Sequence, residues 1–166
     1  MLFMVQHQSR MVMKFSIEMR SILKSKWYSC GLHFECIGCG NCCAGPEEGY
    51  IWICAEEIAM LAKYLGMSEV DVRKRFIKRS GLRTTLIEDK ATKDCIFLQK
   101  GANGQRGCAI YPVRPNQCRT WPFWNYNLAT PNDWNEAAQR CPGINRGPQF
   151  SFEQIEKIRS QKKWWE

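Results

Sequence analysis

Four cysteines fall within eight residues, in the run Cys36-Ile-Gly-Cys39-Gly-Asn-Cys42-Cys43. The residues between them are mostly small or turn-forming, so the run suits a loop that brings several sulfurs together better than a core element. Thiolates are soft ligands that select zinc, copper(I) or iron–sulfur clusters, and CxxC pairs are typical of such sites. The run therefore predicts a metal or cluster site that is completed by residues elsewhere in the chain.

Length and composition predict one domain with reduced thiols. The chain has 166 residues, of which 45% are hydrophobic and 24% charged, as in an ordinary globular protein. It has no run of about 18 apolar residues, so we expect no membrane span. The apolar start at residues 2–5 is too short for a secretory signal, which favours the cytoplasm. Thiols stay reduced there, so metal ligation by the ten cysteines is favoured over disulfides.

The elements predicted from periodicity give a small α+β domain with short strands and two or three helices. Apolar spacing predicts helices over residues 55–65, 68–81 and from 151 onward, the last two opened by Ser68 and Ser151. Strands are predicted over residues 50–54 and 82–88, and residues 95–111 read as a hairpin with a glycine-rich turn. We divide the chain into a leader (1–33), a cysteine-cluster metal-binding domain (34–145), and a C-terminal helix with a basic tail (146–166).

The leader allows two interpretations. Residues 1–29 contain five basic side chains and a single acid, Glu18, which resembles an organelle transit peptide. The same stretch fits a partly helical or flexible leader, with Met4, Met11 or Met13 as an alternative start. We favour the leader.

Eight cysteines make up the predicted ligand set, which is enough for two four-thiolate sites. They are Cys36, Cys39, Cys42, Cys43, Cys95, Cys108, Cys118 and Cys141. Neighbouring side chains of an extended backbone point to opposite faces, so the adjacent Cys42 and Cys43 are expected to serve two different centres. The spacing matches the bacterial ferredoxin run through its third cysteine and then departs from it. It favours an iron–sulfur cluster such as [4Fe-4S], while zinc fits the same thiols.

These motifs carry a family resemblance. The Cys36–Cys43 run, the Cys95-Ile-Phe-Leu segment and the stretch from Cys108 to Cys118 followed by Arg-Thr-Trp-Pro-Phe together resemble the CxxCxxCC family. These YkgJ-type cysteine-cluster proteins are described as zinc- or iron-chelating and are distantly similar to flagellin N-methylases. The resemblance covers residues 34–145. It implies metal or cluster binding by the shared cysteines and supplies no defined reaction.

Other side chains near the later cysteines allow two interpretations each. Arg114, Arg119 and Arg140 flank Cys118 and Cys141; they either offset the charge of a thiolate centre or are solvated surface residues. The aromatic residues of segment 121–126 form either an apolar shell around the sulfurs or a base-stacking platform, and we favour the shell. No nucleotide-binding glycine pattern occurs, and the two histidines fit no hydrolytic triad.

Three functions follow from the sequence. The first is chelation of zinc or iron, with an iron–sulfur cluster supporting redox or methyl-transfer chemistry as its most elaborate form. The second is a non-enzymatic zinc-stabilised adaptor for nucleic acid or protein, which the formal charge of +8 and the basic run from Arg73 to Arg79 favour. The third is metal delivery. Eight thiolates around two divalent ions would lower the charge to about +4, which weakens the case for a nucleic-acid partner.

Overall fold

The computed structural model describes residues 26–101 and 104–161, and these residues form an α+β fold, as expected. The helices are α1 (Ala55–Leu65), α2 (Glu69–Phe76), α3 (Asn116–Thr120), α4 (Pro131–Arg140) and α5 (Phe152–Arg159). The strands are β1 (Leu32–Phe34), β2 (Ile77–Ser80), β3 (Arg83–Leu86), β4 (Leu98–Lys100), β5 (Arg106–Cys108) and β6 (Ile144–Phe150). They pair antiparallel as β1–β6, β2–β3 and β4–β5. The expectations for residues 1–25 and 162–166 lie outside the described residues.

Helix α1 has the predicted bounds, and the helix predicted after it is too long. Cys54, expected at the end of a strand, is the N-cap of α1, where its backbone N–H donates to Glu57 Oε2 at 3.1 Å. Ser68 caps α2 by accepting a hydrogen bond from the Asp71 backbone N–H at 3.1 Å. Helix α2 then ends at Phe76, because Ile77–Ser80 pairs with Arg83–Leu86 as a hairpin. The basic run is therefore split between a helix and a strand.

The segment predicted as a strand at residues 50–54 pairs with β3 through two backbone hydrogen bonds, and a side chain binds its other backbone groups. The Ile53 N–H donates to the Thr84 carbonyl at 3.1 Å, and the Leu86 N–H donates to the Ile51 carbonyl at 2.9 Å. The backbone of this segment makes one isolated bridge, between Trp52 and Thr85. Gln117 of α3 accepts a hydrogen bond from the Trp52 N–H at 2.8 Å and donates one to the Tyr50 carbonyl at 2.9 Å. This buried amide ties α3 to the segment, because buried backbone groups require partners.

The core has two parts. The first surrounds Phe123 and Trp134 and joins β1, β6, α4 and α5. The second surrounds Ile58, Leu61 and Val72 and joins α1, α2, β3 and the β4–β5 hairpin. Cys95 is buried in the second part and Cys141 in the first. Among the described helices, none is long and apolar enough to cross a membrane.

The end of α5 is tied to the start of the described chain through Glu156. Its carboxylate accepts hydrogen bonds from Arg159 Nε at 2.9 Å, from Lys26 Nζ at 2.6 Å and from the Tyr28 hydroxyl at 2.8 Å. The Arg159 guanidinium, followed by Lys26 and Tyr28, lowers the pKa of Glu156 from 4.5 to about 2.

We expect Glu156→Gln to lower the free energy of unfolding at pH 7 by about 1 kcal/mol, a value reduced for the partial solvent exposure of the group. A depressed carboxyl pKa contributes stability above the unfolded value of 4.5 and loses it as pH falls towards 2. In urea unfolding, the difference in the free energy of unfolding between Glu156→Gln and the unchanged protein should therefore be smaller at pH 3 than at pH 7. Glu69→Gln, at an exposed site, is the control. Equal differences at the two pH values would contradict this account.

Candidate metal centre

Two glycines and a single 3₁₀ turn shape the first cysteine run. Gly38 and Gly40 have φ angles of +69° and +72°, which glycine adopts without strain. The turn Asn41–Cys43 follows, and within it the sulfurs of Cys42 and Cys43 lie 3.8 Å apart. We predicted different centres for these two thiols on the assumption that their backbone is extended. That assumption is wrong. In a 3₁₀ turn the adjacent thiols approach each other.

Arginines hold this loop in place. Arg140, at the end of α4, donates from Nε to the Asn41 carbonyl at 3.1 Å and from Nη2 to the Ala44 carbonyl. Asn41 returns a hydrogen bond from Nδ2 to the Arg140 carbonyl at 3.0 Å and accepts one from Arg106 at its side-chain oxygen. Arg140 is therefore an anchor of the cysteine loop rather than a solvated surface residue.

Three later cysteines are brought to the loop by different elements. The Cys95 N–H donates to the Cys43 carbonyl at 2.8 Å. Cys108 is the last residue of β5. Cys118 lies on α3, whose first backbone N–H, at Asn116, is accepted by the buried Glu57 carboxylate of α1. The loop thus meets residues from the second core on three sides.

Six of the eight predicted ligands line one cavity of about 40 Å³. They are Cys36, Cys42, Cys43, Cys95, Cys108 and Cys118. Cys39 is half-buried and Cys141 lies in the first core, and neither lines this cavity. All ten cysteines are free thiols. The structure therefore gathers one six-thiol group and leaves Cys39 and Cys141 apart from it.

The thiols perturb one another strongly. The Cys43 thiol interacts with the thiols of Cys108 and Cys42, which raises the pKa of Cys43 and lowers the pKa of both neighbours to about 7. Burial raises the pKa of Cys95 to about 11 and also raises that of Cys118. The thiols of Cys42 and Cys108 thus ionise more readily than an ordinary cysteine, whereas burial disfavours the thiolates of Cys95 and Cys118. A bound cation would stabilise all of these thiolates.

A tyrosine and an arginine close the rim of the cavity beside Cys36. The Tyr111 hydroxyl hydrogen-bonds to Cys36, which raises the pKa of Tyr111. The Arg114 guanidinium lies 3.7 Å from the centre of the Tyr111 ring. Arg114 Nε is buried and has no hydrogen-bond partner in the described part of the chain. A buried donor facing thiols fits a site in which those thiols carry negative charge.

A groove of about 1000 Å³ runs past the thiols on another side. Cys42, Cys43 and Cys95 line it, together with Trp121, Trp124 and Tyr126 from the predicted aromatic segment. Sequence reasoning did not identify two groups at this site, Tyr111 and Glu88. Tyr111 lies within the motif between Cys108 and Cys118, whereas nothing in the local sequence around Glu88 marks it.

The donor set fits a soft or borderline metal ion. Thiolates bind zinc at about 2.3 Å, and the edge of such a tetrahedron is about 3.8 Å, which equals the Cys42–Cys43 sulfur separation of 3.8 Å. Within residues 26–101 and 104–161, no group of three cysteine, histidine or acidic side chains is close enough together to hold a metal ion. Binding of an ion would therefore require the sulfurs to come closer together.

Comparison with known proteins agrees with this donor set. Residues 35–142 match the model of the CxxCxxCC family, described as a "Putative zinc- or iron-chelating domain", so the chain belongs to that family. It is also 32% identical over 101 residues to "Uncharacterized protein MJ0661" from Methanocaldococcus jannaschii, a match that covers 61% of this chain and 50% of that protein. The chain thus spans about half the length of this relative. No solved structure matches it significantly.

We expect Gly45→Ala to weaken both the fold and metal binding. A Cβ at Gly45 would lie 1.9 Å from the Thr92 carbonyl oxygen, a backbone atom of a turn that can move only with that turn. The shift would disturb the neighbouring pairing of Cys43 with Cys95, at a cost of about 1–3 kcal/mol. Denaturant unfolding and zinc titration measure both effects. Gly107→Ala is the control, because a Cβ there meets no atom within 4 Å; equal effects of the two substitutions would contradict the packing argument.

Proposed function

We propose that this protein chelates zinc or iron as a single ion held by the six-thiol group. The observation that carries the proposal is the convergence of Cys42, Cys43, Cys95, Cys108 and Cys118 from four separate elements, with Cys36 at the rim. The cavity of about 40 Å³ between these sulfurs has room for an ion. The 3.8 Å separation of the Cys42 and Cys43 sulfurs suits two ligands of one ion.

The assignment of ligands follows from burial and contact. Cys43 is the central ligand, because its thiol interacts with Cys42 and Cys108 and is close to Cys95. Four singly charged ligands around a divalent ion carry a net charge of about −2, and the Arg114 guanidinium beside the cavity offsets part of it. In this assignment Cys39 and Cys141 are not ligands of this ion.

A second candidate is an iron–sulfur centre with redox or methyl-transfer chemistry. The groove of about 1000 Å³ favours it, because a substrate there would reach Cys42, Cys43 and Cys95 directly. The C-x2-C-x2-C spacing of the first run supports the same candidate. Both candidates require reduced thiols, and we propose the cytoplasm as the location on that ground.

Metal analysis of anaerobically purified protein tests the proposal. We expect one zinc or iron per chain and a colourless preparation without an absorption band near ~400 nm. A brown protein with several irons and inorganic sulfide would favour the second candidate over the single ion. No bound metal after reconstitution with zinc or ferrous iron would refute both.

The adaptor hypothesis is tested on the same sample. In the structure Lys78 pairs with Glu48 at 3.3 Å and Arg73 approaches Glu69 at 3.9 Å, so part of the basic run is already neutralised. We expect no retention on duplex DNA at 50 mM salt. Retention that falls steeply as salt rises would support a nucleic-acid partner instead.

A further inference from the structure

Glu88 stands beside the thiols in a position that the cysteine motifs do not explain. It forms an isolated antiparallel bridge with Cys95. Residues directly opposed in such a pair have side chains on the same face, with Cβ atoms about 4.5–5.5 Å apart. Glu88 also lines the groove together with Cys42, Cys43 and Cys95. One carboxylate is thus placed on the groove side of the thiol group.

The two oxygens of this carboxylate are in different states. Oε1 accepts a hydrogen bond from the Gly49 backbone N–H at 3.0 Å, which fixes the orientation of the group. Oε2 is buried and has no hydrogen-bond partner among the described residues. A carboxylate oxygen withdrawn from water without a donor is costly, by several kcal/mol in an apolar setting. A cation bound to Oε2 would offset this cost, and the neighbouring thiols would bind the same cation.

We propose that Glu88 is an oxygen ligand of the ion held by the six-thiol group, through Oε2, on the side that faces the groove. This assignment rests on the proposed function. It makes the centre a mixed sulfur–oxygen site, and a carboxylate ligand favours divalent zinc or ferrous iron over copper(I), which prefers sulfur alone. It also places an oxygen ligand on the side where a molecule in the groove would meet the metal.

The Gly49 hydrogen bond is part of this assignment. A carboxylate held at one oxygen presents the other in a fixed direction, so little side-chain entropy is lost on binding. The free edge of the carboxylate therefore acts as a preformed ligand, whereas the thiols must rotate to reach coordination distance.

Two substitutions at Glu88 test the proposal with zinc as the probe. Glu88→Gln keeps the shape and the Gly49 hydrogen bond but removes the charge, and we expect zinc affinity to fall at least 10–100-fold in chelator competition. Glu88→His supplies an imidazole nitrogen with a similar reach from the backbone. We expect it to restore affinity, and we expect X-ray absorption of the zinc-loaded protein to show the scattering of a zinc-bound imidazole, with its nitrogen at about 2.0–2.1 Å.

Matched changes at Glu136, which lines the same groove from α4, are the controls. Glu136→Gln and Glu136→His should leave zinc affinity as in the unchanged protein and should add no zinc-bound imidazole. Normal zinc binding by the unchanged protein, with Glu88→Gln equally tight or Glu88→His adding no zinc-bound imidazole, would overturn the ligand assignment alone. Failure of the unchanged protein to bind zinc or iron would overturn the proposed function and this assignment together.

Discussion

Replacing Cys43 with serine is expected to abolish stoichiometric metal binding and to remove the stabilisation that the metal provides. Cys43 is the thiol that contacts both Cys42 and Cys108, and its backbone carbonyl accepts the Cys95 N–H at 2.8 Å. A serine hydroxyl is a harder, poorer ligand for zinc or ferrous iron. An ion at 1,000 times its dissociation constant stabilises the fold by about 4 kcal/mol, and the variant should lose this amount.

The measurement compares denaturant unfolding with and without a strong chelator. For the unchanged protein the chelator should lower the free energy of unfolding by about 4 kcal/mol; for Cys43→Ser it should have little effect. Cys30→Ser, at an exposed cysteine outside the cavity, is the control and should behave as the unchanged protein. Cys39→Ser should also keep its metal. Loss of metal from Cys39→Ser, with retention in Cys43→Ser, would contradict the six-thiol group and favour a different set of ligands.

Local chemistry predicted those elements that depend on local interactions. Helix α1 is bounded by Glu57 in its first turn and by Gly66 at its end, both readable from the chain. Helix α5 begins where Ser151 and Gln154 form a capping box, as expected from their spacing. These signals need only a few neighbouring residues, so the sequence contains all that determines them.

Features that depend on distant partners were missed. Strand β6 was not predicted, because it contains Gly147 and Pro148 and owes its extended form to pairing with β1. The residues near position 80 were assigned to a helix because apolar spacing continued through Ile77, whereas hairpin pairing with β3 prevails there. In each case tertiary pairing outweighs local propensity.

The site shows the same division. Residue type and spacing identify thiols as ligands, but they do not say which of them converge. Cys36 and Cys39 are equivalent in the motif, and only the first lines the cavity, because the backbone on both sides of Cys39 is set by the positive φ of Gly38 and Gly40 and by the anchoring of Asn41. Glu88 is placed beside Cys95 by the isolated bridge between the two residues. The motif therefore predicts the chemistry of a metal centre, and the fold determines which of the thiols lie together.

Replacing Phe123, a residue of the first core, is expected to lower the stability of the fold and to leave its metal affinity nearly unchanged. Phe123 is 2% exposed, and its ring lies 5.0 Å from that of Phe150 and 5.8 Å from those of Phe34 and Trp134, measured between centroids. Phe123→Ala should lower the free energy of unfolding by about 3–5 kcal/mol, through lost apolar burial and the cavity left behind. Because these contacts belong to the first core, whereas Cys43, Cys95 and Cys108 lie in or against the second, zinc affinity of the folded variant should change less than threefold.

The free energy of unfolding lost in Phe123→Ala should therefore be the same in the metal-loaded and the chelator-treated protein. The stabilisation by bound metal depends on its concentration and dissociation constant, and the substitution leaves both nearly unchanged. Urea unfolding in both conditions, together with zinc titration at a temperature where the variant is folded, measures this. Leu82→Ala, at a turn residue 96% exposed, is the control and should shift stability by less than about 0.5 kcal/mol. A Phe123→Ala loss that is much larger with metal bound would show that the two cores are coupled through the cysteine loop, which Glu35 ties to Gly143 by a 3.0 Å backbone hydrogen bond.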